Sequence, residues 1–192
     1  MSMVSDARVV RTREALREAM TALATENSLE AITVRAIAAR AGVGYATFFR
    51  HYPDKDALLA DVTDRLVREF LQRVAPLLQD HDRAAAARSM CDFVLEHLAI
   101  YKALMAGGSG DTVRAEMLRQ TIATMTATRR RALEGPYDEL VMFHLVSSIL
   151  NLLTWWLRNL DRIDTATVAD MIDRAVLTPV SALWMAPRNT AG

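Results

Sequence analysis

The sequence is poor in the residues that build alternatives to a packed helical protein. A single cysteine, Cys91, stands among 192 residues. No internal disulfide is therefore possible, and the usage fits a reducing compartment. Seven glycines and five prolines are too few for a fibrous or low-complexity chain, and neither a repeat nor a flexible linker is present. Basic and acidic side chains balance at 23 each, so no overall basic field points to nucleic acid. The first twenty residues carry charges throughout and no uninterrupted apolar block, unlike a secretory signal. A phosphate-cradling glycine loop, a Glu-x-x-His pair, two histidines at metal-binding spacing and a Ser–His–Asp arrangement are all missing. The expectation is a protein that is not an enzyme, with no cofactor and no metal site.

Hydrophobic residues are plentiful at 52%, with 24% charged, enough to supply a packed core and to argue against disorder. One run tests the membrane alternative. Leu140 to Leu157 carries no formal charge over 18 residues, close to the length that crosses a bilayer. Within it His144, Ser147, Ser148, Asn151 and Thr154 would each need a partner in lipid. The run reads as a buried helix of a soluble, cytoplasmic protein.

Apolar residues recur at spacings of three and four almost everywhere, and no segment alternates with a period of two. The fold class is all-α. Helices are expected near 6–25, 34–41, 45–52, from Pro53 to near Pro76, and at 83–105, 111–134, 137–160 and 165–185. Thr33 is the expected N-cap of the second. Pro53 sits at a first-turn position and Asp54 near the positive end of the helix that follows. Pro179 lies inside the last apolar stripe, so a kink or an early end is expected there.

The informative stretch is Ile32–Leu59, ITVRAIAARAGVGYATFFRHYPDKDALL. Ile37, Ala38 and Ala41 face inward, Ala38 is small enough for close helix approach, and Gly42 suits a turn that demands positive φ. Phe48 returns into the same core. A helix–short turn–helix of this shape holds its second helix out for a major groove about 12 Å wide. An ordinary helical hairpin capped by glycine would share that spacing. Charge adds little: residues 1–55 carry eight basic and six acidic side chains, a balance of +2.

The run from Thr33 to Leu59 resembles the signature of the TetR (TetR/AcrR) regulators. The shared features are a Thr-initiated helix, Ala-x-x-x-Gly-Val, a short helix with Thr47, an aromatic pair, and Arg50-His51-Tyr52-Pro-x-Lys55-x-x-Leu58-Leu59. The resemblance covers about the first sixty residues without a gap. It implies a DNA-binding domain at 1–55 and a ligand-sensing, dimerising domain at 56–192. It places Thr33, His51 and Lys55 on phosphates, and Arg35 with Tyr45, Ala46 and Thr47 at base edges; Gly44, Phe49 and Arg50 complete the outward surface. Where the family usually has tyrosine this chain has Phe49, which removes a phosphate hydroxyl contact; either Tyr45, a turn earlier, replaces it or Phe49 packs on a sugar or a methyl.

The same resemblance implies a homodimer through the last two helices, about 137–160 and 165–185, on a palindromic double-stranded operator. It also implies a pocket for a small apolar effector. Met90, Phe93, Tyr101, Met105, Met117, Met125, Phe143 and Trp155 are the candidate walls, in a chain with ten methionines. Residues at such helical spacing equally suit plain core. The expected function is a ligand-responsive repressor; an all-helical small-molecule enzyme or carrier, or a dimeric interaction module without DNA binding, stands as the alternative.

Overall fold

The computed structural model describes residues 2–106, 115–123 and 135–185. Every regular element among them is a helix: α1 (Ser2–Glu26), α2 (Val34–Arg40), α3 (Tyr45–His51), α4 (Lys55–Gln79), α5 (Arg83–Glu96), α6 (Leu98–Ala106), α8 (Pro136–Leu157), α9 (Thr165–Ile172) and α10 (Thr178–Met185). Residues 115–123 are also helical and form α7. The all-α class expected from the sequence is the one observed.

Several boundaries shift for identifiable reasons. Asp54, not Pro53, sets the start of α4: its Oδ1 accepts from the Ala57 N–H at 2.7 Å, so the chain becomes helical only after it. Pro76 does not stop α4, which runs on to Gln79. The carbonyl its missing N–H would have served belongs to Gln72, an exposed residue that water can reach. The stripe expected as one helix from 83 to 105 is two helices, divided at His97. The kink expected at Pro179 falls one turn earlier, as a π-helical turn at Asp173–Leu177. Pro179 cannot donate to the carbonyl four residues back and its ring crowds it, so the turn widens and Thr178 N–H bonds Asp173 O instead.

The chain divides into two compact units: residues 1–67 with 97–113, and residues 68–96 with 114–192. In the first, α1 packs on α2, α3 and α6. Leu16, Met20, Ile37, Phe48 and Leu58 are fully buried there, each worth about 1.5–3 kcal/mol of burial. In the second, α5 packs along α9, and α8 along α9 and the π-helical turn. Ala86 and Ala87 are fully buried, and their small side chains let α5 and α9 approach closely. Trp156 is 1% exposed, and its indole N–H is satisfied by Ile163 O at 3.0 Å.

By length and composition α8 would cross a membrane, yet half of its apolar window is buried inside the protein. Gly135 (φ +88) caps it and Pro136 occupies its first turn, an entry only glycine makes without strain.

Candidate nucleic-acid interface

α2 and α3 are joined by a short turn through Gly42. Gly42 takes φ +66. Its N–H bonds Ala39 O at 3.2 Å, and the Val43 N–H bonds Ala38 O at 3.0 Å. These paired bonds close α2 with a left-handed residue, the conformation for which glycine carries least cost. Phe48 is completely buried and Ile37 with it, so the angle between the two helices is set by packing as well as by the turn.

This arrangement turns one face of α3 outward. Tyr45 is 54% exposed and Phe49 45%, and their rings meet edge-to-face with centroids 5.1 Å apart. Ala46 and Arg50 are exposed beside them, while Thr47 and His51 are half-buried. Arg50 Nη2 donates to Thr47 Oγ1 at 2.7 Å, which holds a cation and a hydroxyl together on that face. Gly44 begins the helix with extended backbone, φ −69. A β-carbon there would stand 3.6 Å from Thr47 Oγ1, so the fold itself does not demand glycine at this position.

The flanking candidates behave differently. Thr33 Oγ1 accepts from the Ala36 N–H at 3.2 Å, so it caps α2 and retains a hydroxyl hydrogen to give. Arg35, in the first turn of α2, is exposed. Lys55 Nζ donates to Leu29 O at 2.7 Å, tying the start of α4 to the loop before α2; two of its three N–H donors are left for an anion.

His51 titrates below its ordinary value because burial disfavours the cation and Arg13 and Arg50 repel it. Behind α3, the Tyr52 hydroxyl donates to Asp61 Oδ2 at 2.5 Å. Arg17 Nε reaches the same oxygen at 2.9 Å, and Arg13 Nε donates to the Tyr52 hydroxyl at 3.3 Å. Burial pushes the Asp61 carboxyl up, but the hydrogen bonds from Tyr52 and Arg17 and the nearby guanidinium charges outweigh it. This network was not foreseen from the sequence, where 39 residues separate Arg13 from Tyr52 and 44 separate Arg17 from Asp61, and no local spacing links the arginines to the other two.

Residues 16–62 match the model of the bacterial regulatory proteins of the tetR family. The segment contains every residue of the exposed face just described. Through this segment the chain resembles the tetR family. It is 27% identical over 171 residues to the HTH-type transcriptional repressor KstR of Rhodococcus jostii (strain RHA1), covering 80% of this chain and 77% of that protein. Two solved structures share the fold. A TetR transcriptional regulator from Streptococcus agalactiae 2603V superposes with TM-score 0.65 at 21% identity, over 92% of this chain and 99% of that one. A TetR transcriptional regulator from Rhodococcus sp. RHA1 gives 0.63 at 20%, over 93% and 98%. These likenesses show the all-helical fold of this chain, with a tetR-type segment in its first unit.

Its second unit holds a cavity of about 330 Å3. Met90 and Met117, two of the sequence candidates, line it. Phe93 is buried against Phe70, centroids 5.5 Å apart, and is not among the lining residues. Tyr101 belongs to the first unit, buried at 5% exposure, and does not line the cavity. Phe143 and Trp155 face outward at 52% and 48% exposure. Met125 and the Met105 side chain lie outside the described residues. The walls not named among the sequence candidates include Phe70, Val74, Leu145, Ile149 and Val180. Cys91 is fully buried, and burial with the neighbouring Asp92 pushes its thiol up to about 12.

Proposed function

We propose that this protein is a homodimeric TetR-type repressor that reads a palindromic operator with α3 and releases it when a small apolar molecule enters the second unit. The observation that carries the DNA-reading part is the outward face of α3. Tyr45, Ala46, Thr47, Phe49 and Arg50 stand together on one surface while Phe48 anchors the helix from behind. That face offers methyls for thymine, hydroxyls for either partner and a guanidinium for guanine. Thr33, His51 and Lys55 supply phosphate contacts around it, with Arg35 at a base edge. Gly44 lets the start of α3 come close to the duplex.

The domain assignment follows the same division of labour, with DNA reading at 1–55 and sensing and dimerisation at 56–192. The helix α4 contributes Leu58 and Val62 to the first core and Phe70, Leu71 and Val74 to the cavity wall. A ligand that favours one position of α4 therefore biases the helix on which Lys55 and Asp61 also stand. That is a population shift, limited by the ligand's differential affinity for the two positions.

Dimerisation is supported by apolar residues that the single chain leaves uncovered. Tyr137, Leu140, Phe143 and Trp155 of α8 are 48–63% exposed, with Met171 of α9 and Leu183 of α10 at 51% and 44%. Residues of this kind on the last helices suit the isologous contact of a two-fold dimer. A regulator acting on a chromosomal operator works in the cytoplasm.

The test is a fluorescence-anisotropy titration of the protein against its own upstream DNA. Thr47→Ala and Arg35→Ala are expected to narrow the gap between operator and random duplex by about 1–3 kcal/mol each for a true base contact. Unchanged discrimination in both variants would refute the assignment of the reading face.

A further inference from the structure

The cavity of the second unit has a polar mouth and an apolar interior. Inside, Phe70, Val74, Leu145, Ile149, Leu150 and Val180 form the walls, and all six are at most 8% exposed. Thr121, Ser181 and Trp184 also line the cavity, and the Ser181 hydroxyl is already given to Leu177 O at 2.7 Å. A ligand's buried part therefore meets mostly apolar wall, where an unpaired polar group would cost binding. At the mouth stand Gln79 and His81, both exposed, and Arg83, half-buried. Every one of these three side chains can donate a hydrogen bond, and no Asp or Glu is among the described residues lining the cavity.

The mouth is held in place by backbone. α4 ends with Asp82 N–H on Leu77 O at 2.9 Å and His81 N–H on Leu78 O at 3.3 Å. His81 between them sits at φ +60, a left-handed conformation rare outside glycine. The neighbouring carboxylates are already engaged. Asp82 Oδ1 caps α5 through the Ala85 N–H at 2.9 Å, and Asp173 Oδ1 accepts from the Thr178 hydroxyl at 2.9 Å.

The π-helical turn that Pro179 forces is what brings Asp173 and Thr178 side by side. Together they hold one edge of Arg83. Its Nε donates to Thr178 Oγ1 at 3.2 Å and lies 3.7 Å from Asp173 Oδ1. Among the described residues nothing engages its two terminal nitrogens, and those form the planar fork that matches a carboxylate.

We infer that the cavity takes an amphipathic carboxylate: one apolar body in the interior, with its acid group at the mouth on Arg83, flanked by His81 and Gln79. The inference rests on reading the second unit as the sensor, and it names the chemical class of what is sensed. The volume, about 330 Å3, lies at the small end of ligand sites, which suits a medium-length chain or a small ring system.

Three probes of equal chain length separate head-group chemistry from apolar burial: decanoate, 1-decanol and decyltrimethylammonium. They are titrated into the full chain by calorimetry. Decanoate is expected to bind at least about tenfold tighter than decanol, as a charge-assisted hydrogen bond supplies, and the ammonium probe weakest. Arg83→Gln should bring decanoate down to the decanol value and leave decanol itself unchanged; Arg83→Lys, which keeps charge without the fork, should fall between. Equal affinity of decanoate and decanol, a preference that survives Arg83→Gln, or binding of none of the three overturns the inference. Preferential decanoate binding that leaves operator affinity untouched would uphold the ligand class and refute the sensor role.

Discussion

The Tyr52 hydroxyl and the Asp61 carboxylate, 2.5 Å apart, join the residue that closes α3 to the middle of α4's first-unit segment. Tyr52 is only 3% exposed, and Arg13 and Arg17 gather on the same two groups. Tyr52→Phe removes the donor and leaves a carboxylate without it; the expected loss is about 1.5–3 kcal/mol of unfolding free energy by urea titration, the range for a bond to a charged group.

The same network fixes an acid response. The Asp61 carboxyl lies below its ordinary value in the fold, and so does that of Glu14, which Arg65 holds by a hydrogen bond. Carboxyls depressed in this way contribute stability above their unfolded values, near pH 4. That contribution is lost as pH falls further, through the folded values. Unfolding free energy measured from pH 7 to pH 3 should drop in the acid limb. In Asp61→Asn the drop should be shallower and the stability at pH 7 lower. An unchanged acid limb would remove Asp61 from the explanation.

Much of the α2–turn–α3 unit was legible in the sequence because its constraints are local. Thr33, Gly42 and Phe48 each act within a few residues of their own position, as a cap, a left-handed turn and a core anchor. The Tyr52–Asp61 network was hidden because side chains on three helices converge by packing and no spacing announces it. In the second unit, helical periodicity marks apolar residues without saying which way they face. Met90 and Phe143 read alike in sequence, yet one lines a cavity and the other is half exposed. Pro179 was read correctly as an interruption, but its effect falls on the turn before it, because the missing donor and the ring both act on a carbonyl one turn back.

Gly42→Ala should cost about 1–2 kcal/mol, because a β-carbon is penalised at φ +66 even where space is open around it. Gly44→Ala, at an ordinary φ, should leave thermal stability within about 0.5 kcal/mol. If Gly44 serves close approach to the duplex, that variant weakens operator binding without unfolding. A large loss of stability in Gly44→Ala would show that the fold, not the interface, requires glycine there.

Lys55 is expected to act twice. Lys55→Met keeps the apolar stem but removes the donor to Leu29 O, which should lower stability by about 1 kcal/mol. If the ammonium also neutralises a phosphate, the slope of log affinity against log salt should become shallower by about one. A fall in stability with an unchanged slope would confine Lys55 to the fold.

His51 gives the interface a pH signature. Its depressed titration in the free protein, from burial and from Arg13 and Arg50, leaves it largely neutral at pH 7. A phosphate beside it would favour the cation, so its proton affinity rises on binding. Operator affinity should then increase as pH falls below about 6.5, with the protein still folded by circular dichroism. His51→Gln should flatten that rise; persistence of the full rise in this variant would place the titrating group elsewhere.

The most direct test of the reading head is the affinity for the upstream operator as a function of salt, set against a random duplex of equal length. If α3 reads bases and Thr33, His51 and Lys55 hold phosphates, log affinity falls linearly with log salt, by about 0.9 per phosphate neutralised. The operator then stays tighter than the random duplex throughout, and Thr47→Ala narrows that margin. A flat salt response, or equal affinity for both duplexes at every salt concentration, would contradict the assignment of α3 as the DNA-reading helix.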